Sequence, residues 1–134
     1  MSSPILSHSE QEQNNALVRR YISCIGNKRY DDLEAYLHPN FEFNGPITLR
    51  SAADYIGMLR DHSKHIAGVE VKALFVDSGD CCIIYDLMMD TKIGAVACLE
   101  WLTIKDGRIS ATRLHFDRLA MMEVCREASK NLSR

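Results

Sequence analysis

The chain has 134 residues, of which 46% are hydrophobic and 25% charged, with a formal net charge of −2. That length fits one domain able to build its own core, and the composition excludes a wholly disordered chain. No basic stripe is visible and no apolar run approaches the ~20 residues of a bilayer-spanning helix, so neither nucleic acid nor membrane is an expected partner.

Residues 1–8 read as a flexible tail and 9–134 as a single domain. The first fifteen residues lack a charged start and a long apolar stretch, so no secretory leader is expected. Five cysteines, at 24, 81, 82, 98 and 125, form neither a C-x-x-C pair nor a framework spacing. They read as reduced apolar fillers, which fits a cytoplasmic location.

Ser9 with Glu12 has the form of a capping box. Leu17, Val18, Tyr21, Ile22 and Ile25 follow at helical spacing until Gly26-Asn27. A short second helix is expected from Asp31, carrying Leu33, Tyr36 and Leu37 and ended by Pro39. Phe41 to Asn44 alternates as a short strand before Gly45-Pro46. Ser51 and Asp54 cap a third helix, with Ala52, Ile56, Leu59 and Ile66 as its apolar positions and Gly68 just past its end. The period then changes. Val69–Asp77, Cys81–Met89, Gly94–Ile104 and Arg108–Asp117 read as four turn-linked strands, with Asp106-Gly107 a strong hairpin signal. Leu119, Met122, Cys125 and Ala128 predict a closing helix near 118–131. Helices followed by a meander imply an α+β fold.

If Asp106-Gly107 is a two-residue loop, Lys105 faces Arg108 and paired positions sum to 213. Glu100 then lies opposite Arg113, Cys98 opposite His115 and Val96 opposite Asp117, all on one face. A carboxylate, a guanidinium, an imidazole and a second carboxylate on one patch would make an acid–base set. Alternation leaves a second reading open, in which this face is solvated and Leu99, Trp101, Leu114 and Phe116 form the core. An Arg113–Glu100 pair would hold Glu100 ionised, leaving Asp117, about 13 Å further along the strand, as the better proton-transfer group. Asp86, inside an apolar run, is a further pocket candidate. His62 and His65 stand three apart but among charged neighbours, and read as a solvated face rather than a metal pair. No P-loop, dinucleotide fingerprint or zinc spacing occurs, so no cofactor or metal is expected.

The order of elements, with Val18-Arg19-Arg20-Tyr21-Ile22, Tyr36-Leu37-His38-Pro39-Asn40-Phe41, Phe43-Asn44-Gly45-Pro46, Gly94–Ile104 and Lys105-Asp106-Gly107-Arg108-Ile109, resembles the nuclear transport factor 2-like superfamily, which includes ketosteroid isomerases and SnoaL-like polyketide cyclases. The resemblance covers residues 13–118. It implies a cystatin-like, cone-shaped, curved antiparallel sheet on three N-terminal helices, an apolar pocket, and in many members a homodimer. It places Tyr21 where isomerases have an oxyanion-holding tyrosine, and Glu100 where they have a protonated aspartate. Gly45 falls where their base stands, and Asp117 falls near the acid–base aspartate of the cyclases. The expected catalytic set is therefore Asp117, His115, Arg113, Glu100 and Tyr21, with Asp86, Cys98, Val96 and Phe43 lining the pocket. The expected function is cofactor-independent acid–base catalysis (isomerase, cyclase or hydrolase) on an apolar, ring-like or polyketide-like molecule. The alternative is a non-catalytic ligand-binding or dimeric association domain of the same fold.

Overall fold

The computed structural model describes residues 8–132. Apart from His8, which begins the first helix, the expected tail lies outside the described residues. Helix α1 (His8–Gly26) buries one stripe: Val18, Tyr21, Ile22 and Ile25 are nearly or fully removed from water. Each such side chain contributes about 1.5–3 kcal/mol. Ser9 lies inside α1, so the capping box expected there does not mark its start.

The second helix is shorter than expected. Helix α2 (Tyr30–Leu33) passes through a 3-10 turn at Glu34–Tyr36 directly into strand β1 (Leu37–Asn44). Pro39 therefore stands in a strand rather than ending a helix. It sits where the register of β1 slips between Leu37 and Glu42, a place where a missing N–H breaks no regular ladder. A two-residue strand β2 (Thr48–Leu49) precedes helix α3 (Ala52–His62), whose Ser51 hydroxyl accepts the Asp54 N–H at 3.1 Å, as the sequence led one to expect.

Four long strands follow: β3 (Ile66–Asp77), β4 (Asp80–Met89), β5 (Ala95–Lys105) and β6 (Arg108–Phe116). The sheet order is β2-β1-β6-β5-β4-β3. The meander is antiparallel, and β1 joins β6 in parallel. Register irregularities in β3 and in the β5–β6 pair bend the sheet around α1 and α3. Cys81, Ile83 and Tyr85 on β4 and Val96, Cys98, Glu100 and Leu102 on β5 face the helices. Leu99 and Trp101 face out. The α+β fold with a curved sheet, three N-terminal helices and a C-terminal helix is thus present.

Helix α4 (Arg118–Leu132) closes the described chain. Its packed face is not the expected one. Val124 is buried and Ala120 and Met121 pack on the core, whereas Leu119 and Met122 are 78% and 66% exposed. All five cysteines are free thiols. Among the described residues no helix is long and apolar enough to cross a membrane.

The β5–β6 hairpin follows the expected register for only two pairs. Lys105↔Arg108 and Ile104↔Ile109 hold, but the next pair is Thr103↔Ala111, so Ser110 is an extra residue. This bulge reverses the facing of everything beyond it: Ile109 and Thr112 are both buried. Deleting Ser110 would restore the simple register, turn Thr112 and Leu114 outward and bring Arg113 inward. We expect that deletion to abolish cooperative thermal unfolding followed by circular dichroism, while Ser110→Ala costs no more than about 1 kcal/mol through loss of its hydrogen bond to the Thr103 carbonyl.

Candidate functional site

Position 100 is the one place where the inward face of the meander carries a carboxylate. Glu100 is 1% exposed, and among the described residues no cation pairs with it. Its partners are hydroxyls from three elements. Tyr21 on α1 and Thr112 on β6 each donate to Oε2 at 2.6 Å, and Tyr85 on β4 donates to Oε1 at 2.8 Å. The Tyr55 hydroxyl on α3 is hydrogen-bonded to that of Tyr21. Because the Tyr21 proton is committed to Glu100, Tyr55 is the donor in that pair. Phe43 stacks on the Tyr55 ring with centroids 4.9 Å apart, and Phe41 packs on it at 5.1 Å, fixing the ring's tilt.

Burial raises the Glu100 pKa above the ordinary carboxyl value, and the hydrogen bonds from Thr112, Tyr21 and Tyr85 only partly offset this. Burial also pushes Tyr21, Tyr55 and Tyr85 well above the usual phenol range, and the nearby Glu100 carboxylate adds to it. These three hydroxyls remain protonated donors at any physiological pH. Burial first, then the Glu100 charge, pushes the Cys98 thiol up to about 12, so it is no nucleophile.

Glu100, Tyr85, Tyr55 and Cys98 line a cavity of about 60 Å3 whose other walls include Phe43, Met58, Leu114, Phe116 and Met121. That is room for a few water molecules and well below the ~300–1,000 Å3 of ligand sites. Two flexible methionines in the wall allow it to adapt. Oε1 accepts one hydrogen bond and keeps a further acceptor position.

The expected site residues divide sharply. Tyr21 and Glu100 meet as the resemblance implied. Phe43 and Cys98 line the cavity, and Val96 is fully buried on the same face without lining it. Asp86 is on the opposite face, 3.7 Å from the Lys72 ammonium. The bulge at Ser110 sends Arg113 and His115 outward, opposite Trp101 and Leu99 rather than Glu100 and Cys98. Asp117, expected as the proton-transfer group, is exposed; its Oδ1 accepts the Ala120 N–H at 3.1 Å and caps α4. It is not part of the cavity. Gly45 carries no base, and a Cβ there would lie 2.7 Å from the Phe43 ring, so a side chain at this position would require the ring to shift. Among the described residues no three of His, Cys, Asp and Glu gather as a metal site.

Tyr55, Tyr85 and Thr112 were missed. Tyr85 was legible as part of the Ile83-Ile84-Tyr85 run, where the choice of Asp86 took the wrong parity. Tyr55 lies four residues before Leu59 on the buried stripe of α3. Thr112 had no signal, because its facing depends on the bulge.

A carboxyl with a raised folded pKa holds its proton more tightly in the native state. Its contribution therefore favours folding below the unfolded value, about 4.3, and is lost as pH rises through the folded value. Glu100→Gln has no such proton to lose. Its stability relative to the unsubstituted chain should rise between pH 4 and 8, by about 1.4 kcal/mol for each unit of elevation, in urea melts at a series of pH values. A pH-independent difference would show an ordinary carboxyl.

The SnoaL-like domain family matches residues 18–112, most of the chain. No curated protein matches the sequence. Among solved structures, a nuclear transport factor 2-like protein of unknown function from Cytophaga hutchinsonii superimposes with a TM-score of 0.71 at 22% identity, over 91% of this chain and 99% of that one. A provisionally assigned ketosteroid isomerase from Kribbella flavida gives 0.73 at 18% identity, over 81% of each chain. An LEH-like epoxide hydrolase from M. tuberculosis gives 0.73 at 16%, over 92% and 97%. At these identities the likeness establishes the nuclear transport factor 2-like fold, and the family match means that this chain belongs to the SnoaL-like domain family.

Proposed function

We propose that the chain is a small acid–base enzyme that moves a proton on an apolar carbonyl compound without a cofactor, with Glu100 as the proton-transfer group. The observation that carries this reading is a buried carboxyl with a raised pKa and no counter-cation, at the wall of an apolar cavity. Such a group is poised to take and return a proton. Glu100 would remove a proton from the carbon beside the carbonyl. The electron pair left behind would delocalise onto the carbonyl oxygen, where the Tyr55 hydroxyl, turning its proton from Tyr21 to the substrate, would stabilise it. Return of the proton to a different carbon completes an isomerisation; in a cyclisation the carbanion attacks a second carbonyl of the same molecule, whose π electrons pass to its oxygen, and that alkoxide takes the proton back from Glu100. A single carboxyl suffices for either. The related structures described as an isomerase and an epoxide hydrolase support a reactive pocket in this fold without naming the substrate.

The alternative reading, a non-catalytic ligand-binding domain, is favoured by the three donors on Glu100 and the small cavity. Deuterium exchange separates the two. Apolar cyclic ketones incubated with the protein in heavy water should exchange their α-protons, read by NMR, at least about 10²-fold faster than with Glu100→Gln. Equal exchange, with ketone binding retained, would establish the binding reading instead.

We also propose a homodimer through the outer sheet face. Phe75, Trp101 and Leu99 are 61%, 51% and 37% exposed there, and Phe75, Cys82 and Trp101 form one row across β3, β4 and β5. A second copy offers the same apolar row about a two-fold axis. Sedimentation at micromolar protein should give a dimer that Trp101→Glu converts to monomer. A monomeric unsubstituted chain would remove the proposal.

A further inference from the structure

Strand β1 leaves β6 early. Their parallel register ends at Asn44↔Arg113, and Gly45-Pro46 turns the chain away. Strand β6 runs on to Phe116, so its last three residues have no strand beside them on that side. The gap is an open cleft of about 540 Å3 between residues 44–48 and 113–118. That volume lies within the range of small-molecule sites.

Its chemistry is one-sided. The cleft carries the Arg113 and Arg118 guanidinium groups and the His115 imidazole, and no acidic side chain lines it, in a chain whose net charge is −2. Among the described residues none of the three makes an ion pair. The fold does not account for Arg118. It opens α4, whose first turn holds no acidic residue, and a cation at the positive end of a helix is unfavourable.

The cleft and the Glu100 cavity share two walls, because Leu114 and Phe116 line both. The two spaces therefore adjoin across the end of β6. Resting on the reading of the cavity as a reactive pocket, we propose that the cleft binds the oxyanion head, carboxylate or phosphate, of the ligand whose apolar body enters the cavity. The substrate class is then an amphipathic anion. A planar guanidinium meets either head through paired, charge-assisted hydrogen bonds. The apolar body reaches Glu100 when the Leu114 and Phe116 side chains part, and the flexible Met58 and Met121 make room for it.

Octanoate, octyl phosphate and octanol test this on the intact chain. Binding is followed by NMR of 13C-methyl methionine, in which Met58 and Met121 report filling of the cavity. At least one anion should bind about tenfold or more tightly than octanol, and the Arg113→Gln, Arg118→Gln double variant should erase that advantage while leaving octanol affinity unchanged. The tighter of the two anions identifies the head. Raising the salt concentration should weaken the anion and spare the alcohol. Both arginines are exposed and, among the described residues, make no ion pair, so the double variant should fold, which its unshifted remaining methyl resonances would verify. Equal affinities for the three probes, or an anion preference that survives the double variant, would overturn the anion site and leave the cavity reading standing. Failure of all three to shift Met58 and Met121 would overturn both.

Discussion

The arrangement depends on the burial of a single uncompensated carboxyl. Moving Glu100 out of water costs several kcal/mol, and among the described residues no guanidinium or ammonium returns any of it. The structure offsets the cost with three hydroxyl donors held by three different elements, α1, β4 and β6, and a fourth hydroxyl from α3 stands behind the first. The same bonds tie the helical layer to the sheet, so the site and the fold share one set of contacts. An apolar residue of similar volume would pack there at less cost. A chain that keeps the carboxyl there carries a stability cost that an apolar residue would avoid, a pattern common at functional sites.

The donors also set what the carboxyl can do. An adjacent arginine would have held it ionised and idle near neutral pH. Hydroxyls instead bind either protonation state, because each can donate to a carboxylate or accept from a carboxylic acid. Tyr21, Tyr55 and Tyr85 cannot themselves ionise at ordinary pH, which leaves Glu100, its pKa raised by burial, as the acid of this cluster. Gly45 fits the same picture. The Phe43 ring occupies the space next to it and stacks on Tyr55, so what would be a second carboxyl's place serves to orient a hydroxyl.

Most of the fold was legible because its signals are periodic. The helical stripe of α1, the Ser51 cap and the change of rhythm into β3 depend on local chemistry, and each appears where the residues put it. The site was legible only in part. Tyr21 and Glu100 came from the family resemblance, and the facing of β5 came from alternation, which left two faces open until burial chose one. The partners proposed for Glu100 failed for one physical reason: period-2 arithmetic carries no memory of an inserted residue, and Ser110 inserts one two pairs beyond the turn. Pro39 misled in the opposite direction, as a helix stop, because a strand can hold a proline where its register slips.

That single bulge also explains why the residues first grouped as one site form two. Without it, Arg113 would sit against Glu100, and the pocket would hold an ion pair. With it, the same strand presents Thr112, Leu114 and Phe116 to the interior, while Arg113 and His115 face away, and its free end borders both spaces. A buried acid needs a low-dielectric surround to keep its raised pKa, and guanidinium groups keep their hydration only near the surface. Strand β6 satisfies both demands within five residues by alternation alone. The separation of the guanidinium groups from the buried carboxyl is therefore a consequence of backbone register, set by Ser110 rather than by any residue that lines either space.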